Sequence, residues 1–233
     1  MALWTLDQAA FRELHTLGQH PWVRPVALVI SDTGLGQVQA TGLLIAASAV
    51  WAKWARGTLW GVALVAIGLV AARDPYPWGN GFALLVVLAL LAWLKPALAW
   101  SALAAAAGSG LVRLAIMRFA DRQRPSNFDF AQPYENVYGM SSFPSGHATT
   151  TFAIAFTVTL LARPEERGRA NLLIGWAVLV ALSRSMAGVH YPTDTLAGAA
   201  LGLAGAAIVR LVGEASQARR CGSGAESTPS TTS

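Results

Sequence analysis

Three short polar clusters interrupt an otherwise apolar sequence, and each contains residue types that handle phosphate. They are Arg118–Pro125, Pro144–His147 and Ser183–Asp194. The planar, permanently charged guanidinium of arginine suits phosphate oxygens. A carboxylate paired with an imidazole leaves one ring nitrogen available as a base or nucleophile. Together these residue types are the parts needed to transfer a phosphoryl group without a metal ion.

The second cluster predicts an anion site at the start of a helix. Pro144, Ser145 and Gly146 directly precede a long apolar stretch, so free backbone N–H groups are expected at the positive end of that helix. His147 is expected at the rim of this site. Taken alone, the same four residues are also typical of an ordinary serine N-cap with an interfacial histidine.

The third cluster predicts a paired histidine and carboxylate. His190 and Asp194 are four residues apart, so one helical turn places them on one face, and Pro192 suits the first turn of a helix. Arg184, and Arg124 of the first cluster, are candidates for binding phosphate. Taken alone, each feature also fits a surface ion pair or loop arginines that contact lipid headgroups.

The elements that must position these clusters are predicted to be membrane helices. Only 12% of the 233 residues are charged and 54% are hydrophobic, which excludes an ordinary soluble domain and a disordered chain. We therefore predict an all-α, polytopic transmembrane bundle of six to seven membrane segments, preceded by an amphipathic interfacial helix over 4–22. The candidate segments are 38–51, 58–72, 81–94, 97–117 (which contains Arg113 as its only charge), 143–162, 170–182 and 195–209. We expect one domain over 1–213, with its motif-bearing core at 117–194, and a flexible polar tail over 214–233.

The basic residues indicate topology more than nucleic-acid binding. The net charge of +5 comes mainly from arginines scattered between apolar stretches, and they recur at every second boundary. By the positive-inside rule these boundaries are cytoplasmic, so the three polar clusters face outward and the C-terminus faces the cytoplasm. The single Cys221 provides neither a disulfide framework nor a cysteine metal site.

The order and spacing of the clusters resemble the type 2 phosphatidic acid phosphatase (PAP2) superfamily. Its signature is Lys-x6-Arg-Pro, then Pro-Ser-Gly-His, then Ser-Arg-x5-His-x3-Asp. The second part is complete at 144–147 and the third at 183–194. The first part is incomplete, because Arg124-Pro125 match whereas the lysine position is Met117. We hypothesise that Arg118 replaces the missing lysine, with Arg122 as a second candidate.

The resemblance implies a role for each matched residue. His190 would be the nucleophile that becomes phosphohistidine, and Asp194 would orient it. His147 would protonate the leaving oxygen and then activate water. The phosphate oxygens would be held by Arg124, Arg184, Ser145 and the Gly146 N–H. No metal or other cofactor is implied.

The implied activity is that of an integral-membrane, metal-independent lipid phosphatase in the bacterial inner or plasma membrane. Its substrate would be a phosphate monoester or a diphosphate headgroup, of the undecaprenyl diphosphate, phosphatidylglycerol phosphate, phosphatidic acid or lipid A phosphate type. The alternative is a lipid phosphotransferase that passes the same phosphoenzyme to another acceptor. A vanadate-dependent haloperoxidase shares the motifs, but the apolar stretches argue against that soluble class. A non-enzymatic lipid-binding or channel protein draws support only from Met117. The oligomeric state stays open.

Two other patterns have simpler interpretations. Asp32-Thr33-Gly34 resembles an aspartic-protease triplet, but it occurs once, and we predict a turn before the first membrane segment. Ser145, His147 and Asp194 do not form a plausible serine-hydrolase triad, because Ser145 and His147 diverge at a helix start. With four histidines in all and two of them near the N-terminus, a zinc site is not expected.

Overall fold

The computed structural model describes residues 2–48, 77–91, 93–134 and 141–225. The candidate segment 58–72, the end of segment 38–51 and the last residues of the predicted tail lie outside the described residues. Eight α-helices occupy the described part: α1 Ala2–Gln19, α2 Val23–Thr33, α3 Gly36–Ser48, α4 Pro77–Leu91, α5 Pro96–Phe119, α6 Gly146–Leu161, α7 Arg167–Met186 and α8 Pro192–Ala225. Short 3-10 turns lie at Pro125–Asn127 and Pro164–Glu166.

The helix boundaries follow local chemistry. Helices α5 and α8 both begin at a proline, whose fixed φ and missing N–H suit the first helical position. Gly146 begins α6, directly after Ser145 in the extended conformation. Helix α8 continues to Ala225, past residue 214, where we expect a polar tail. An Arg210–Glu214 ion pair at i,i+4 lies on the turn that leads up to residue 214 and favours helix there.

Helix α6 lies at the centre of the bundle and packs against α5, α7 and α8. Glycines allow α8 to approach it closely. A Cβ on Gly202 would lie 2.6 Å from the Ala153 backbone nitrogen, and a Cβ on Gly198 would lie 2.7 Å from the Ser145 carbonyl oxygen. The Gly198–Gly202 spacing therefore serves close helix packing.

Helix α1 has two different faces. Asp7, Phe11 and His15 are buried against the rest of the protein, mainly α7, whereas Leu3 and Leu6 are 73% and 67% exposed. His15 accepts a hydrogen bond from the Gln132 backbone N–H at its Nε2, 2.9 Å away, and its Nδ1 lies 3.0 Å from the Met186 carbonyl oxygen. The exposed leucines are compatible with a position of α1 at the membrane surface, which stays a prediction.

Two of the described helices are long and apolar enough to cross a membrane. They are α5 over its whole length and the Pro192–Arg219 part of α8. Helix α6 is apolar but spans only 16 residues. All regular secondary structure in the described residues is helical. The number of six to seven membrane segments stays a prediction.

Candidate active site

A cavity of about 690 Å³ opens at the end of the bundle where the three polar clusters meet. Its polar end carries three arginines and two histidines, which are Arg113, Arg124, Arg184, His147 and His190, beside the backbone of Gly146. Gln37, Gln39 and Thr150 are the other polar side chains of the lining, and the remaining lining residues are apolar or glycine. The apolar wall comes from α3, α5 and the residue before α3, and it includes Leu35, Ala40, Leu43, Leu103, Leu111 and Leu114. The structure therefore brings the predicted clusters together around one cavity.

His190 lies in the loop between α7 and α8 and is only 2% exposed. Its Nε2 is 3.2 Å from Arg124 Nη1, and a guanidinium can only donate, so Nε2 accepts this hydrogen bond. The Nδ1 hydrogen then faces Asp194 Oδ2, 3.6 Å away. Burial, and next the positive charges of Arg124 and Arg184, hold the pKa of His190 well below its usual range. A neutral imidazole with its Nε2 lone pair directed toward the arginines is the result.

Asp194 has hydrogen-bond partners in addition to the nearby His190. Its Oδ2 accepts a hydrogen bond from the Tyr191 backbone N–H at 2.9 Å, and its Oδ1 accepts one from Arg122 Nη1 at 2.6 Å. The carboxylate is fully buried. Sequence reasoning pairs Asp194 with His190 alone, whereas in the structure Arg122 is its closest charged partner.

Helix α1 completes this arrangement through Asp7. Arg122 Nη2 donates to Asp7 Oδ2, and Thr193 donates its backbone N–H to Asp7 Oδ1 at 3.0 Å. The guanidinium also lies over the ring of Tyr191, with Cζ 4.6 Å from the ring centroid. Arg122 is thus enclosed between two carboxylates and an aromatic ring, and it is not among the residues that line the cavity.

Arg124 and Arg184 are both buried and fixed by neighbouring groups. Arg124 donates from Nη1 to the Val189 carbonyl at 3.1 Å and from Nη2 to the Ser141 carbonyl at 3.2 Å. Arg184 donates from Nη1 to the hydroxyl of Ser31 on α2. These contacts hold each guanidinium in one orientation at the cavity wall, which is the preorganisation that phosphate binding requires.

The start of α6 contributes its backbone and one histidine. Gly146 and His147 line the cavity, and His147 Nε2 has no hydrogen-bond partner within the described residues. Ser145 is fully buried and is not a lining residue. Its Oγ also lacks a partner in the described part of the chain, and its backbone N–H donates to the Asp194 carbonyl at 3.0 Å.

Neither replacement considered for the motif lysine lines the cavity. Arg118 is exposed near the end of α5, since one residue turns the side chain about 100° around the helix. Arg122 is engaged with Asp7 and Asp194. Arg113, which sequence reasoning assigns no role, does line the cavity. The signal for it is present in the sequence, because a lone arginine within an apolar stretch is costly in a membrane and marks a functional position.

The remaining patterns occupy structural positions. Asp32 and Thr33 are the last residues of α2 and Gly34 begins the short turn to α3, and Thr33 Oγ1 accepts a hydrogen bond from Trp176 Nε1 at 2.8 Å. Gly34 also lines the cavity, where a Cβ would lie 2.9 Å from His147 Cδ2. Among the described residues, no three His, Cys, Asp or Glu side chains are grouped so that they could hold a metal ion.

Known proteins with similar sequences carry phosphatase names. A decaprenylphosphoryl-5-phosphoribose phosphatase of Mycobacterium tuberculosis is 37% identical over 146 residues, which cover 60% of this chain and 76% of the relative. A lipid A 1-phosphatase of Rhizobium etli is 36% identical over 99 residues, covering 40% of this chain and 41% of that protein. The matched region thus spans about two fifths of the lipid A phosphatases.

Solved structures give a weaker likeness. The crystal structure of Aquifex aeolicus LpxE aligns with 63% of this chain and 93% of its own, at 25% identity and a TM-score of 0.46. The model of the PAP2 superfamily matches residues 98–217, which is just over half of the sequence and includes all three polar clusters. The chain belongs to the PAP2 superfamily.

Proposed function

We propose that this protein is an integral-membrane, metal-independent lipid phosphatase that works through a phosphohistidine intermediate. The observation that carries the proposal is the cavity itself, whose cationic, histidine-bearing end continues into an apolar wall. Such a cavity matches an amphiphile with a phosphate head and a hydrocarbon tail. The phosphatase names of the relatives support the same class of reaction.

The reaction begins when the phosphate group binds the Arg124 guanidinium, which frees the Nε2 lone pair of His190 to attack phosphorus. A bond forms between Nε2 and phosphorus while the bond from phosphorus to the lipid oxygen breaks, and His147 gives its proton to that oxygen. The Nδ1 hydrogen faces Asp194, which stabilises the positive charge that develops on the imidazole. His147, now neutral, takes a proton from water, whose oxygen attacks phosphorus and releases inorganic phosphate from His190.

The phosphate oxygens are neutralised by fixed positive groups. Arg124 and Arg184 lie at the cavity wall, and the Gly146 N–H begins α6, where the helix dipole favours an anion. Ser145, which the family resemblance also assigns to the phosphate, lies buried behind this helix start and outside the cavity lining. The arginines and the helix start replace the charge neutralisation that a metal ion gives in other phosphoryl-transfer enzymes.

The substrate class is a lipid phosphate or diphosphate. A polyprenyl or acyl chain fits the apolar wall between α3 and α5, while the headgroup occupies the polar end. The undecaprenyl diphosphate, phosphatidylglycerol phosphate, phosphatidic acid and lipid A phosphate types all meet this description. The placement of the basic boundaries supports an outward-facing site and a cytoplasmic C-terminus, and the bacterial sources of the relatives support an inner or plasma membrane.

Phosphate release from a panel of these lipids by the purified protein in detergent tests the proposal. We expect turnover that persists in EDTA, is inhibited by orthovanadate, and is lost in His190→Ala. The matched control is His20→Ala, because His20 is exposed and is not among the residues that line the cavity. Phosphate release by the His190→Ala variant would contradict the proposed mechanism.

Two further measurements test the acceptor and the topology. Transfer of labelled phosphate to a lipid or sugar, in place of release to water, would identify the phosphotransferase alternative. Labelling of Cys221 in intact cells by a membrane-impermeant maleimide is expected to fail, and labelling after permeabilisation to succeed. Labelling in intact cells would reverse the proposed orientation.

A further inference from the structure

Arg113 occupies a position that the PAP2 signature leaves without a role. The cavity-lining positions of α5 recur with helical spacing at Leu103, Ala106, Gly110 and Arg113. Met117 is four residues beyond Arg113 and therefore continues the same face one turn, or about 5.4 Å, further along the helix. The charge that the signature places at 117 is thus present one turn earlier.

Contacts at the start of α6 direct the Arg113 guanidinium toward the expected phosphate position. Its Nε donates to the Pro144 carbonyl at 3.1 Å, and a Cβ on Gly146 would lie 3.3 Å from its Cζ. The side chain is therefore packed beside the backbone that opens the anion-binding helix. Within the described residues its two terminal nitrogens make no hydrogen bond.

The charge of Arg113 acts on the same groups as the other cavity arginines. It contributes to lowering the pKa of His190, after burial, Arg124 and Arg184. An arginine between apolar residues of a candidate membrane helix is costly unless an anion or a water-filled cavity accommodates it. A bound phosphate group provides that accommodation.

We propose that Arg113 is the third phosphate-binding cation of this site and replaces the missing motif lysine. The inference rests on the proposed phosphatase function and assigns one of its headgroup contacts. The hydrogen bond to Pro144 fixes the guanidinium, so its terminal nitrogens face the phosphate with little loss of side-chain freedom on binding. Removing one such charge-assisted donor from a transition state lowers kcat by roughly 10²–10³-fold.

The test compares Arg113→Met with Arg118→Ala, a control on the same helix whose side chain is exposed. Methionine is chosen because the neighbouring residues of this helix are apolar. Arg113→Lys is a second variant that keeps the positive charge. We expect kcat/KM to fall about 100-fold in Arg113→Met and to recover in part in Arg113→Lys, with Arg118→Ala close to wild type. Adding Met117→Lys to Arg113→Met is expected to restore part of the lost activity.

A second readout does not depend on turnover. The rise in melting temperature caused by orthovanadate reports binding of a phosphate-like anion, and we expect it to shrink in Arg113→Met but not in Arg118→Ala. Wild-type kcat/KM and an unchanged vanadate effect in Arg113→Met would overturn the inference while leaving the phosphatase proposal intact. If the wild-type protein hydrolyses none of the lipids, the proposed function fails, and the vanadate comparison still decides the role of Arg113.

Discussion

Replacing Arg122 with alanine is expected to leave two buried carboxylates without their shared cation. The side chains of Asp7 and Asp194 are 2% and 0% exposed, and the Arg122 guanidinium donates to both. Removing one partner from a buried ion pair costs about 3–5 kcal/mol, because the remaining charge stays desolvated. For a chain of this length, a loss of that size in the free energy of unfolding lowers Tm by roughly 6–20 °C.

Thermal unfolding in detergent and steady-state phosphate release measure the two consequences. Arg122 contacts Asp194 but does not line the cavity, so kcat is expected to fall more than KM rises. Combining Asp7→Asn with Arg122→Ala removes one of the stranded charges, so the double variant should lose less stability than the two single losses combined. Arg118→Ala is the control. A Tm within about 2 °C of wild type and an unchanged kcat for Arg122→Ala would refute this reasoning, since breaking a buried pair costs more than that.

Three further outcomes follow from the structure. Gly202→Ala should destabilise the protein by about 1–3 kcal/mol through overpacking against α6, whereas Gly213→Ala, which meets open space, should not; thermal unfolding separates the two. Burial lowers the pKa of His15 in the folded protein, so the neutral ring that accepts the Gln132 hydrogen bond stabilises the fold above the ordinary histidine pKa. This stabilisation should be lost as the pH falls below that ordinary pKa, and Tm measured against pH for the wild type and for His15→Gln checks it. Because the pKa of His190 is lowered, its imidazole should stay neutral from neutral pH down past 6.5; its NMR chemical shifts against pH, assigned by comparison with His190→Ala, check this, and protonation that begins above pH 7 would contradict it.

The sequence predicts the membership of the PAP2 superfamily, which is confirmed, and the meeting of the three polar clusters at one cavity. Both depend on local signals. Pro192 begins α8 where the pattern predicts a first turn, and Arg124, Arg184, His147 and His190 all line the cavity. Short motifs are enough to predict the site because each motif lies at the end of a helix. The packing of the helices then brings these ends together.

The parts that sequence reasoning misses depend on rotation and on distant contacts. Whether Arg113 or Arg118 faces the cavity is a matter of helix phase, which a motif count from Met117 does not resolve. The pairing of Asp7 with Arg122 joins residues 115 positions apart, and no local pattern predicts it. Likewise, Asp7, Phe11 and His15 form the buried face of α1, although its leucines mark the more obvious apolar stripe.

The contact between Asp7 and Thr193 also bears on the order in which the site is assembled. These residues are 186 positions apart, so α1 is synthesised long before the start of α8 that it must meet. Chains emerge with their N-terminal part first. Until residues 190–194 have been synthesised, a growing chain holds the arginines of the cavity but neither the histidine nor the carboxylate of its third cluster. The last part of the chain to be synthesised therefore completes the candidate site, and a chain truncated before His190 lacks the proposed nucleophile.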